Sequence, residues 1–168
     1  MSAVMESTKR FVFGEVRGTV VLSDRVKRKA AEFCAAHYAA EKANEFCGER
    51  VEPFVTPVWA PTRAAWVPAA ELLKLGFVEA PKGTTQEPAD QMIVTLGVDP
   101  HEDFHGPILC MVLHNDGLKF KQGRVSHAPK AGDWFIFNDL QAHSVKEAKG
   151  AAVWASLNVP LQRVGVRA

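Results

Sequence analysis

Apolar positions change their spacing several times along the chain, and each change predicts an element. Phe11 to Leu22 (FVFGEVRGTVVL) is dense in β-formers, with Gly14 and Gly18 as interruptions, and predicts one or two strands. From Val26 the period becomes helical: Val26, Ala30, Phe33, Cys34 and Tyr38 recur on one face of a helix reaching to about Phe46. Ser23 stands at its N-cap position, Asp24 in its first turn, and Gly48 is the expected stop. Val51 to Pro68 carries four prolines, which remove ladder donors and favour extended segments and edge strands. Pro68 at a first helical position opens a short helix, AAELLKL, that Gly76 closes, and Lys82 to Asp90 is a loop.

The second half is a succession of short strand-like runs: Gln91–Val98, Ile108–Leu113, Leu118–Lys121, Arg124–Ala128, Asp133–Asn138 and Val153–Val159. Asp99-Pro100, Asn115-Asp116-Gly117 and Pro129–Gly132 supply the turns between them. Such spacing predicts a mainly β fold, a sandwich or barrel, with the N-terminal helices on one outer face. At 168 residues, with neither repeat nor linker, the expected organisation is a single domain, 1–168. Within it residues 1–90 would support a β core at 91–160.

Composition narrows the classes of function. Twenty basic and nineteen acidic side chains leave a formal charge of +1, so no global field draws the chain to nucleic acid or an anionic membrane. Arg25, Lys27, Arg28 and Lys29 read as a solvated helix face. No run approaches the roughly 18 apolar residues of a membrane span, and Lys9-Arg10 is not followed by a secretory core. Three cysteines, Cys34, Cys47 and Cys110, form no CxxC pair, and a reducing cytoplasm is the expected location.

Candidate chemistry sits at two strand ends. His101-Glu102-Asp103 follows the apolar run QMIVTLGV, and residues two apart in an extended segment point the same way. His101 and Asp103 can therefore converge on one ion, with His143 arriving after DWFIFN as the third ligand. Two neutral imidazoles and one carboxylate on one face of an octahedron form the ligand set of non-haem Fe(II) sites. His114-Asn115-Asp116 is a second HxD, but Asn-Asp-Gly is a turn signal that explains it without metal.

Taken in order, HED (101–103), ILCMVLHNDGLKF (108–120), HAPKAGDWFIFND (127–139) and HSV (143–145) resemble the Fe(II)/2-oxoglutarate-dependent oxygenases, particularly their prolyl-hydroxylase-like members. The resemblance implies a double-stranded β-helix (a jelly-roll or cupin-like barrel) holding Fe(II) through His101, Asp103 and His143. It also implies 2-oxoglutarate and O2 as co-substrates, and hydroxylation of a primary substrate with release of succinate and CO2. The family's usual basic anchor for 2-oxoglutarate falls here on Ala152, which cannot hold a carboxylate. Lys146 and Lys149 lie in the adjoining loop and Arg163 lies far along the chain. Some relatives take the anchor from the strand region that here carries Lys119, Lys121 and Arg124, and between these the sequence does not choose. Ser156 and Asn158, two apart on the last strand, would add hydrogen bonds to the same site.

No substrate is legible. The Arg-rich C-terminal pattern of nucleic-acid repair members is absent, and Trp59, Arg63 and Trp66 would line a rim or pack the core. Two other readings stand beside the oxygenase. One is a cupin-like metalloenzyme that does not use 2-oxoglutarate, disfavoured because Asp103 stands where a second His is wanted. The other is a non-catalytic β-helix binding module, favoured by Ala152.

Overall fold

In the computed structural model, residues 10–44, 49–53, 67–81, 91–146 and 153–165 are described. Among these residues the elements run β1 (Val16–Thr19), α1 (Asp24–Asn44), β2 (Glu49–Pro53), α2 (Ala69–Lys74), β3 (Phe77–Glu79), β4 (Gln91–Thr95), β5 (Val98–His101), β6 (Pro107–Asn115), β7 (Lys119–Gln122), β8 (Val125–His127), β9 (Asp133–Asn138), β10 (His143–Lys146) and β11 (Trp154–Arg163). A seven-stranded sheet has the order β1-β9-β6-β11-β4-β2, with β3 on the end of β11; a four-stranded sheet has the order β5-β10-β7-β8. Every pairing is antiparallel.

The larger sheet is covered on both faces, and side-chain alternation sorts its residues between two cores. Leu109, Met111 and Leu113 of β6, Trp134 and Ile136 of β9, and Ala155, Leu157 and Val159 of β11 pack with Val26, Ala30 and Cys34 of α1. Their neighbours Ile108, Cys110, Val112, Phe135, Phe137 and Trp154 point the other way and meet Phe120 and Val145 of the smaller sheet, with Leu118 just before β7. The chain is thus mainly β, two sheets facing across one core with a helix behind the other, as in a sandwich or jelly roll. Val26, Ala30 and Cys34 of the α1 stripe are buried where the periodicity placed them, Phe33 and Tyr38 are partly buried against the same core, and Ser23 Oγ accepts the Val26 N–H at 3.2 Å. No described helix is long and apolar enough to cross a membrane.

Several boundaries differ from the sequence reading. Only Val16–Thr19 of the Phe11–Leu22 run is a strand; Phe11 and Phe13 stack edge to face at 4.9 Å and pack against the core instead. Pro68 is the cap of α2 rather than its first residue, its carbonyl accepting the Leu72 N–H at 2.9 Å. The run Gln91–Val98 is not one strand. It breaks at Leu96-Gly97, where Gly97 takes φ +133°, and the expected turn Asp99-Pro100 lies inside β5. Pro100 is tolerated there because β5 is an edge strand and needs no N–H on its open side. β3 and β10 were not anticipated: both are short and owe their extension to partners distant in sequence. The end of the first helix at Phe46, Gly48, the rim residues Trp59, Arg63 and Trp66, the loop 82–90, Lys149 and Ala152 lie outside the described residues.

Candidate metal centre

The crossing at Gly97 builds the site. Leaving the larger sheet, the chain pairs β5 with β10, and in that antiparallel register His101 lies directly opposite His143. Opposed residues of an antiparallel pair are nearest neighbours, and here the imidazole centroids are 4.3 Å apart. Asp103 reaches the same point from the loop after β5, and its N–H donates to the Asp139 carbonyl at 2.7 Å. Its Oδ2 lies 3.4 Å from both His101 Nε2 and His143 Nε2. One ligand atom from each residue lies within 4.8 Å of the others. An ion bonded at about 2.1 Å holds two adjacent ligands about 3 Å apart, so small side-chain adjustments close the triad on a metal.

Both imidazoles are already oriented. His101 Nδ1 is 2.7 Å from the Asp99 carbonyl and His143 Nδ1 is 2.9 Å from the Gln141 carbonyl. A carbonyl only accepts, so each Nδ1 carries the proton and each Nε2 presents its lone pair to the common point. Phe137 packs on His143 at 4.9 Å and steadies the ring. His143 is buried, while His101 and Asp103 are partly open, which leaves the centre accessible from one side.

Behind the triad a cavity, part of it open to solvent, runs between the sheets. Phe120, Phe135, Phe137 and Trp154 form its apolar walls; Thr95, Cys110, Asp139, Ser156 and Asn158 are its polar lining besides the triad. Burial pushes the Cys110 thiol up to about 12, with a Ser156 hydrogen bond opposing in part. The thiol is therefore protonated at neutral pH and is no nucleophile.

Ser156 and Asn158 thus line the cavity that holds the triad, on the face of β11 that also carries Trp154. Lys119, Lys121 and Arg124 do not. On β7 the lysines are exposed while Phe120 and Gln122 take the inner positions, and Arg124 is exposed in the turn that follows. The inner face is the apolar one, where a lysine would lie desolvated without a partner, so strand parity turns both outward. Lys146 pairs with Asp99 at the surface, 3.3 Å apart, and no Lys or Arg among the described residues lines the cavity. The second HxD is a turn: Asn115 Oδ1 accepts the Gly117 and Leu118 N–H groups, and His114 pairs with Asp116 at 2.8 Å.

Asp139 is the residue that sequence reasoning missed. Its buried carboxylate accepts from His105 N at 2.9 Å, from Gly106 N at 2.5 Å and from His105 Nδ1 at 2.7 Å, and its own N–H donates to the Gly106 carbonyl at 2.9 Å. The loop bearing Asp103 is thereby tied to the turn that precedes His143. An acid after an apolar strand, with a histidine and a glycine 34 and 33 positions away, is no local signal.

No protein-family model matches the chain, and no curated protein matches it significantly. Among solved structures, the crystal structure of a prolyl-4-hydroxylase from Pseudomonas putida is similar, with 19% identity, a TM-score of 0.49 and coverage of 90% of this chain and 92% of that one. A likeness of that degree carries no argument about this chain, whose functional reading rests on its own side chains.

Proposed function

We propose that this protein is a mononuclear non-haem Fe(II) oxygenase whose two sheets form a double-stranded β-helix. In this reading it uses 2-oxoglutarate and O2 to hydroxylate a further substrate, releasing succinate and CO2. The observation that carries it is the convergence of His101 Nε2, Asp103 Oδ2 and His143 Nε2 at the mouth of a cavity. Two imidazoles and a carboxylate fit Fe(II), and three protein donors leave half an octahedron for exchangeable ligands. Bound there, iron supplies oxygen-activating chemistry that no side chain offers. The chain's own part is to hold both Nε2 lone pairs inward through the Asp99 and Gln141 carbonyls, and to exclude water with Phe120, Phe135, Phe137 and Trp154. Residues 1–90 support a core at 91–160 within one domain.

The test is anaerobic Fe(II) titration followed by succinate assay with 2-oxoglutarate and no added substrate. One iron per chain is expected, with slow succinate formation, and both should be lost in His101→Ala and His143→Ala while circular dichroism stays unchanged. Stoichiometric iron in either variant removes the triad from the proposal. The cavity's lack of a described basic side chain favours a second reading, a cupin-like metalloenzyme that does not use 2-oxoglutarate. Iron binding without succinate formation selects it, whereas binding of neither iron nor 2-oxoglutarate selects a non-catalytic module.

A further inference from the structure

We infer that the tail of the 2-oxo acid is read by neutral hydrogen-bond donors, with Asn158 foremost, so that the site takes 2-oxo acids with uncharged acceptor tails as well as it takes 2-oxoglutarate. This rests on the metal-centre reading above and specifies its co-substrate. On the cavity face of β11, Ser156 Oγ donates to Asn158 Oδ1 at 3.0 Å. With its oxygen so engaged, the Asn158 amide is left to offer its NH2 group to the cavity it lines. What meets that group is an acceptor, a carbonyl or carboxylate oxygen.

Charge counting decides how much an anionic tail gains. A divalent ion and Asp103 together leave one positive charge, which the chelating carboxylate of a 2-oxo acid cancels. Asp139 adds no attraction, since its own charge is answered by the His105 and Gly106 N–H groups. Among the described residues of the lining, a second carboxylate would meet dipoles only: the Asn158 amide and the hydroxyl of Thr95, buried in the cavity wall. Lys119, Lys121 and Arg124 are exposed on the smaller sheet and its following turn, away from this lining. Desolvation of the extra charge therefore offsets the stronger hydrogen bond it receives.

The experiment is anaerobic titration of Co(II)-loaded protein, followed by its visible absorption and by calorimetry, with 2-oxoglutarate and with its 5-methyl ester. The two dissociation constants are expected within about threefold, because the cost of desolvating the charged tail offsets the stronger hydrogen bond it receives. Asn158→Leu should weaken both ligands about tenfold, the worth of one hydrogen bond, with Co(II) affinity unchanged. The near-isosteric Asn158→Asp, a safeguard should the leucine variant not fold, should weaken 2-oxoglutarate more than the ester. If 2-oxoglutarate binds more than about thirtyfold tighter than the ester, a basic group holds the tail, and the inference fails while the metal-centre reading stands. If Co(II) binds but neither acid does, the inference and the use of 2-oxoglutarate both fail, and the cupin-like reading of the metal centre stands.

Discussion

Replacing Asp139 by alanine removes an acceptor on which three N–H groups depend: His105 N, His105 Nδ1 and Gly106 N, at 2.9, 2.7 and 2.5 Å. Each hydrogen bond to a buried charged acceptor contributes about 1.5–3 kcal/mol, and three sharing one carboxylate are not additive. Water entering the vacated space returns part of the loss, so a net destabilisation of about 3 kcal/mol is expected. At a urea dependence of about 2 kcal/mol per molar, the unfolding midpoint should fall by about 1.5 M. Asp139→Asn keeps one acceptor oxygen and should lose roughly half as much. The second consequence is specific to the site. With the His105–Gly106 clamp gone, Asp103 keeps only its backbone bond to residue 139, and metal affinity should drop about 10- to 100-fold. Urea unfolding of the apo-protein and Co(II) titration below the transition measure the two effects separately. An alanine variant whose midpoint moves by less than about 0.3 M and whose metal affinity is unchanged refutes the assignment.

Other perturbations test other parts of the structure. Lys119→Ala, Lys121→Ala and Arg124→Ala, made singly, should change 2-oxoglutarate affinity by less than about twofold, because all three are exposed and outside the cavity; a tenfold loss in any one, by calorimetry, would restore it as the anchor. Burial raises the thiols of Cys34 and Cys110 to about 12, against 9.0 for the ordinary group. The folded state then holds protons that the unfolded state has lost, so stability should fall as pH rises from 9 towards 12, and alkylation of these two cysteines at pH 8 should require denaturation. Peptide mapping showing either labelled in the native protein would contradict this. Gly132→Ala places a Cβ 2.6 Å from the Val20 carbonyl oxygen at a residue with φ +96°, and should cost about 3 kcal/mol; a thermal midpoint within 2 °C of the parent, where about 1 kcal/mol moves it by about 2–4 °C, would show that the loop yields freely.

What the chain alone determined is what local periodicity can encode. The stripe Val26, Ala30, Phe33, Cys34, Tyr38 reports a helix because each turn repeats the same apolar choice, and DWFIFN reports a strand covered on both faces because every inner position is apolar. The spacing of His101 and Asp103 was legible too, since two residues apart in extended chain lie on one side. Tertiary structure decided what depends on pairing between distant segments. That His143 faces His101 follows from the register of β10 on β5, made possible by the break at Gly97 inside what reads as one continuous strand. The outward turn of Lys119 and Lys121 follows from which face of β7 meets Phe135 and Phe137, and one residue of register would reverse it. The clamp at Asp139 joins groups more than thirty positions apart, with nothing in the intervening sequence to announce it. Short-range patterns record only which side of each element is apolar; which elements meet, and in which register, is set by long-range packing between the sheets.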